Sequence, residues 1–195
     1  MENRETDERL LSQAARGETQ AFQVLYERYR DPIYRFAYRM LGSPEAAEDV
    51  THDCFLSLIK EPGRFDADKA SLRTYLYAAA RNQSAKRFLN FNRESSLDDY
   101  SEPFSTPENG GPSQKVLDDE LTAEVRKAIA SLPPLQREAL VLFEYEDLSL
   151  AEIGAIVAAD SNTVKARLFR ARDKLRASLG QYFKIGRETA TVKRA

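Results

Sequence analysis

The chain has 195 residues, is 42% hydrophobic and 31% charged, and carries a formal net charge of −2, values ordinary for a globular protein of one large or two small domains. No apolar run approaches the ~20 residues that span a bilayer, so no membrane insertion is expected, and the polar, acidic opening MENRETDERLL does not read as a secretory leader. The one cysteine, Cys54, excludes an internal disulfide and fits a cytoplasmic protein, while the slight net acidity excludes nucleic-acid binding by bulk charge and leaves local basic surfaces, or a partner that supplies the rest.

In chain order, the first helix opens at Thr19 or Glu18 and carries Phe22, Leu25, Tyr26 and Tyr29. Pro32 is expected to break or restart it, and Ile33, Phe36, Ala37, Met40 and Leu41 continue the apolar face. Gly42-Ser43-Pro44 reads as a turn, with Ser43 as N-cap and Pro44 in the first helical position. The next helix carries Ala47, Val50, Cys54, Phe55, Leu58 and Ile59 and stops at Glu61-Pro62-Gly63. Ser71 then caps a helix running to Phe88 or Leu89. RESSLDDYSEPFSTPENGGPSQ holds three prolines and two glycines among serines and acids, the composition of a flexible acidic linker. Helices follow over about residues 116–131 and 134–145, and two more lie in LSLAEIGAIVAADSNTVKARLFRARDKLRASL, residues 148–179. No segment alternates like a strand, so the expected fold is all-α. It consists of two small helical domains, 1–92 and 115–183, a linker at 93–114 and a tail at 184–195 that frays.

Residues 148–179 read as a helix-turn-helix. Ser149 and Glu152 have capping-box spacing. Ile153, Ile156 and Val157 face inward on the first helix, as do Val164, Leu168, Ala171 and Leu175 on the second. Between Ser161 and Arg176 there are six cations (Lys165, Arg167, Arg170, Arg172, Lys174, Arg176) and one acid, Asp173. A basic second helix is the element that enters a major groove. Its base-reading half would present Asn162, Thr163, Lys165, Ala166, Arg167, Phe169 and Arg170, with Asp160 or Ser161 as cap and free amides for a phosphate. A solvated basic helix in an ordinary bundle is the alternative reading.

A second basic zone spans residues 73–93, with Arg73, Arg81, Lys86, Arg87 and Arg93 and no acid, interleaved with Tyr75, Tyr77, Phe88, Phe91, Asn82, Gln83 and Asn90. Cations hold phosphates and rings stack on unpaired bases, so this composition suits single-stranded nucleic acid; the alternative is that the rings are partly core. The helix over residues 45–59 has the opposite sign. Its acids Glu45, Glu48, Asp49 and Asp53 lie beside Phe55 and Leu56, as on a docking surface for a basic partner, or equally on a solvated face. His52 and Cys54 are the chain's one histidine and one cysteine. Two residues apart on a helix, they point to different sides and offer no metal site. No catalytic constellation, Gly-rich phosphate loop or cofactor motif is present, so no enzyme activity, metal or cofactor is expected.

These zones together resemble the sigma-70 family of bacterial transcription initiation factors, in its small two-domain extracytoplasmic-function (ECF) group, over about residues 6–179. FQVLYERYRDPIYRFAYRMLGSPEAAEDVTHDCFLSLI is similar to the sigma-two domain, with DVTHDCF at its polymerase-docking helix. SLRTYLYAAARNQSAKRFL resembles the part that recognises and melts the minus-ten element, and the helix-turn-helix resembles the sigma-four reader of the minus-thirty-five element. The resemblance implies that Asp49, Asp53, Phe55 and Leu56 dock on the clamp helices of the largest subunit of RNA polymerase core, with the flap region as a further core contact. Arg73, Tyr75, Arg81, Asn82, Lys86 and Arg87 would bind melted minus-ten DNA, Asn82 contacting a flipped base beside the loop over residues 65–71. Lys165, Arg167, Phe169 and Arg170 would face duplex DNA. It also implies an anti-sigma partner and a linker that threads polymerase channels. Tyr75 stands where the family often has Trp, Lys86 where it often has Asp or Asn, and Ala158 where the turn commonly has Gly; a left-handed residue there would cost alanine roughly 1 kcal/mol. Two other classes fit parts of the pattern: a dimeric stand-alone helix-turn-helix regulator, and a sigma mimic that sequesters an anti-sigma factor.

Overall fold

The computed structural model describes residues 6–94 and 114–192. Residues 95–113, most of the expected linker, lie outside the described residues, and Arg93, Glu94 and Gln114 belong to the helices on either side. Among the described residues there are eight α-helices and no strand, in agreement with the all-α expectation.

Helix α1 (Asp7–Ala15) precedes the first helix read from the sequence. Thr6 caps it, Leu10 and Leu11 are its buried residues, and Asp7 accepts hydrogen bonds from Arg28 and Tyr29 of the next helix. Burial and the Asp7 bond push the Tyr29 hydroxyl's pKa up. Helix α2 (Thr19–Leu41) passes through Pro32 without a break. The missing Pro32 amide and the ring's clash cost a helix interior about 3 kcal/mol, but Leu25, Ile33, Phe36 and Ala37 on both sides are fully buried and hold the helix together. A buried leucine, isoleucine or phenylalanine contributes roughly 1.5–3 kcal/mol, so the flanking contacts outweigh the proline. Gly42 ends α2 with φ 73°, a left-handed cap that favours glycine.

Helix α3 (Pro44–Lys60) starts where Ser43 accepts the Ala46 amide at 3.1 Å. It buries Ala47, Val50, Cys54, Phe55 and Leu58. Burial pushes the Cys54 thiol up to about 12, so it stays protonated at neutral pH. A short 3-10 turn (Pro62–Arg64) leads to α4 (Leu72–Glu94), whose first turn is capped by Ser71 accepting the Thr74 amide at 3.1 Å.

The C-terminal half comprises α5 (Gln114–Ala130), α6 (Pro134–Glu144), α7 (Leu150–Val157) and α8 (Ser161–Val192). Ile153, Ile156 and Val157 of α7 meet Val164, Leu168 and Ala171 of α8 in a buried seam. Backbone helix continues to Val192, beyond the point where the apolar pattern stops and fraying was expected.

The two halves pack on each other and share one apolar core. Helix α4 lies against α7, and α2 lies against α5 and α6. Arg137 of α6, 7% exposed, ties them: it donates to the Met40 carbonyl at 2.8 Å, the Leu132 carbonyl at 3.2 Å and the Ala130 carbonyl. Its charge sits at the carbonyl ends of α2 and α5, where orphan acceptors and the helix dipole favour a cation.

Candidate nucleic-acid interface

The turn of the helix-turn-helix is fixed by local chemistry. Ser149 and Glu152 form a full capping box, with the Glu152 amide 3.3 Å from the Ser149 hydroxyl and the Ser149 amide 2.9 Å from the Glu152 carboxylate. Ala158 ends α7 in the left-handed region at φ 50°, ψ 50°. The Ala159 amide then donates to the Gly154 carbonyl at 3.0 Å. A Cβ on Gly154 would lie 2.6 Å from the Ala159 carbonyl oxygen, so glycine is required at 154 by the close return of the chain.

Asp160 caps α8. Its Oδ1 accepts the amides of Asn162 and Thr163, each at 2.9 Å, and Oδ2 accepts the Thr163 hydroxyl at 2.6 Å. These bonds, the Thr163 hydroxyl first, hold the Asp160 carboxyl below the usual carboxylate range. This corrects the expectation of free amides for a phosphate: those of Asn162 and Thr163 are taken, and Thr163 spends its hydroxyl on the cap. Asn162, Lys165, Phe169 and Arg170 are exposed, Phe169 at 67%, while Thr163, Ala166 and Arg167 are half-buried. Arg172 lies over the Phe143 ring, 5.2 Å from its centroid, and pairs with Glu144 at 2.6 Å.

Helix α4 has two chemical faces. Residues 75, 82 and 86 fall on one side at helical spacing; Tyr75 is half-buried, and Asn82 and Lys86 are exposed. Tyr75 packs edge-on against Phe65, with centroids 5.6 Å apart, and this contact fixes the loop over residues 65–71 beside it. Arg73, Tyr77 and Arg81, four apart, turn instead toward the C-terminal half. Tyr77 is 1% exposed, so this ring is core and cannot stack on a base.

Arg87 leaves α4 for α3, donating to Asp49 at 3.1 Å and Asp53 at 2.7 Å. It therefore holds the two acids read as docking residues and does not stand free beside the DNA-facing side chains. Glu45, Glu48, Asp49 and His52 are exposed, and Leu56 is half-buried. Phe55 is 2% exposed, edge-on to Tyr26 at 4.8 Å and to Phe22 at 6.2 Å, so it supports the acidic surface from beneath.

Two acids missed in the sequence organise the contact between halves. Glu138 accepts from Arg81 at 3.0 Å and from Arg167 at 3.3 Å. Glu146 accepts from Tyr77 and from Arg39 at 3.3 Å, and its backbone carbonyl accepts from Arg73. Burial raises the pKa of the Glu146 carboxyl despite these donors. The available signal was an acid inside the apolar run of α6, since a buried carboxylate needs a cation. No group of three or more metal-ligating side chains occurs among the described residues, and none of their helices is long and apolar enough to cross a membrane.

The organisation matches two family models in order: Sigma-70 region 2 over residues 25–93 and Sigma-70, region 4 over residues 122–175. The chain is 31% identical over 179 residues to the ECF RNA polymerase sigma factor SigW of Bacillus subtilis, covering 87% of this chain and 94% of that one. It is 28% identical over 187 residues to the RNA polymerase sigma-H factor of Pseudomonas aeruginosa, covering 92% and 96%. The sigma factor RpoE of Bartonella quintana, solved in complex with the anti-sigma factor NepR, shares the fold with a TM-score of 0.67 at 23% identity, over 82% of this chain and 96% of that one. The chain belongs to the ECF group of the sigma-70 family of RNA polymerase sigma factors. It is a factor for directing transcription initiation.

Proposed function

We propose that three surfaces divide this work. Asp49, Asp53 and Leu56, carried on buried Phe55, dock on the clamp helices of the polymerase core. Tyr75, Asn82 and Lys86 hold melted minus-ten DNA, with Arg87 bracing the docking acids Asp49 and Asp53 and Arg73 and Arg81 turned to Glu146 and Glu138. Asn162, Thr163, Lys165, Ala166, Arg167, Phe169 and Arg170 meet the minus-thirty-five duplex. The observation that carries the reading is the exposed patch of Asn162, Lys165, Phe169 and Arg170 at the start of a helix held by a helix-turn-helix.

Flipping a base costs a few kcal/mol, and stacking returns roughly 1–3 kcal/mol per base, so the aromatic-basic helix stabilises melted DNA without covalent chemistry. The core supplies most phosphate contacts, which suits a net charge of −2. An anti-sigma protein of the kind bound to the Bartonella relative is a proposed partner, and the cytoplasm the proposed site of action. Substituting Lys165 and Arg170 by alanine should abolish promoter selection and leave core binding intact. Normal transcription by both variants would remove the recognition helix from the account.

A further inference from the structure

We infer that Arg87 is a positioning residue for core docking: its guanidinium fork holds Asp49 and Asp53 in the arrangement the polymerase meets, and so sets how long the complex lasts. The inference rests on the docking surface proposed above. It moves Arg87 from the DNA-facing set, where the family resemblance put it, to the protein-facing set.

The fork bridges two helices. Nη1 of Arg87 on α4 donates to Oδ2 of Asp49 at 3.1 Å, and Nη2 donates to Oδ2 of Asp53 at 2.7 Å. The two acids stand four apart on α3, on one face, where like charges repel. One planar cation with two diverging donors offsets that repulsion and fixes both side chains; an ammonium, a point charge on a flexible stem, does not. Among the described residues no other donor reaches either carboxylate, so Oδ1 of each is open to a partner's cation. Exposure rises outward in the same order: the Arg87 side chain is 32% exposed, Asp53 41% and Asp49 65%. The Arg87 Nε is buried with no acceptor among the described residues, so the two acids alone orient the guanidinium. Its place on α4 agrees. At about 100° per residue, Arg87 lies roughly 120° around the helix from the stripe of Tyr75, Asn82 and Lys86.

The consequence is kinetic. A side chain that becomes ordered only on binding weakens the complex; Arg87 orders both carboxylates in the free chain. It also halves the negative charge of the pair. Removing it therefore strengthens long-range attraction to a basic partner and loosens the short-range fit, and these effects fall on different rate constants.

The test measures association and dissociation of the full chain and purified bacterial core polymerase by surface plasmon resonance. The variants are Arg87→Met, which keeps the apolar stem, and Arg87→Lys, with thermal melting to confirm folding. Releasing two carboxylates should speed dissociation about tenfold in Arg87→Met, with association as fast or faster. Arg87→Lys, able to hold one acid, should fall between, and it decides if Arg87→Met does not fold. In a chain carrying Asp49→Asn and Asp53→Asn, Arg87→Met should add nothing further. Unchanged dissociation in the folded variants overturns the inference, as does an equal effect of Arg87→Met without the two acids. Slower association with a lowered melting temperature marks a merely structural residue and also overturns it. Unchanged core kinetics with slower promoter opening returns Arg87 to the melted strand. If the chain with Asp49→Asn and Asp53→Asn binds core normally, the docking assignment itself falls, and the inference with it.

Discussion

Replacing Ala158 by glycine should stabilise the protein, although it removes a methyl group. Ala158 ends α7 at φ 50°, ψ 50°, and an L-residue in that region pays roughly 1–2 kcal/mol. The side chain is exposed, so no packing is lost. Against this stands the added freedom of glycine in the unfolded chain, roughly 0.4–1 kcal/mol. The net gain is roughly 0.5–1 kcal/mol, and at about 2–4 °C per kcal/mol for a chain of this size, Tm should rise by about 1–4 °C. Ala155→Gly supplies the control. It lies exposed within the same helix with ordinary geometry and should lose about 1 kcal/mol. Calorimetry of both variants, with folding checked by circular dichroism, separates strain from simple loss of a methyl. If Ala158→Gly lowers Tm as Ala155→Gly does, the turn is not strained and the argument from φ fails.

Three further outcomes follow from the same geometry. Gly154→Ala drives a Cβ to 2.6 Å from the Ala159 carbonyl oxygen; backbone must shift, and chemical denaturation should show a loss of roughly 1–3 kcal/mol. Arg137→Met leaves the Met40, Ala130 and Leu132 carbonyls without their donor and should cost about 2–3 kcal/mol; an unchanged denaturation midpoint would mean that this residue does not tie the halves. Burial raises the Glu146 carboxyl pKa above its usual 4.5, so the native state binds its proton more readily than the unfolded chain. That contribution is fully present below about 4.5 and lost as pH rises through the folded value. The stability of the unsubstituted chain relative to Glu146→Gln should therefore increase as pH falls from 7 toward 4.5, and a flat difference would show that burial does not penalise the ionised form.

What was legible in the sequence was local. Ser43 before Pro44, Ser71 before α4 and the Ser149/Glu152 pair mark helix starts because each cap acts within three residues. The apolar stripe of residues 164, 168 and 171 was legible because its period is that of a helix. Pro32 misled because its penalty is local, whereas the burial of Ile33 and Phe36 that overrides it is tertiary. Helix α1 was missed because two leucines and an acid that pairs 21 residues away leave little periodic signal. The candidate site divides the same way. Exposed Lys165, Asn82 and Asp49 follow from position on a helix face. The bonds from Arg81 to Glu138 and from Tyr77 to Glu146 bridge 57 and 69 residues, beyond the reach of any local pattern. Phe55 carries the same apolar signature whether it supports a docking surface or forms one, and only its contacts with Tyr26 and Phe22 decide.

In vitro transcription with purified chain and bacterial core polymerase, on fragments of the source genome and with core alone as control, tests the central claim most directly. The account predicts discrete start sites that require the chain and share upstream sequence elements. Stable core binding without initiation would contradict it and favour a sigma mimic, and duplex binding without core binding would favour a stand-alone regulator.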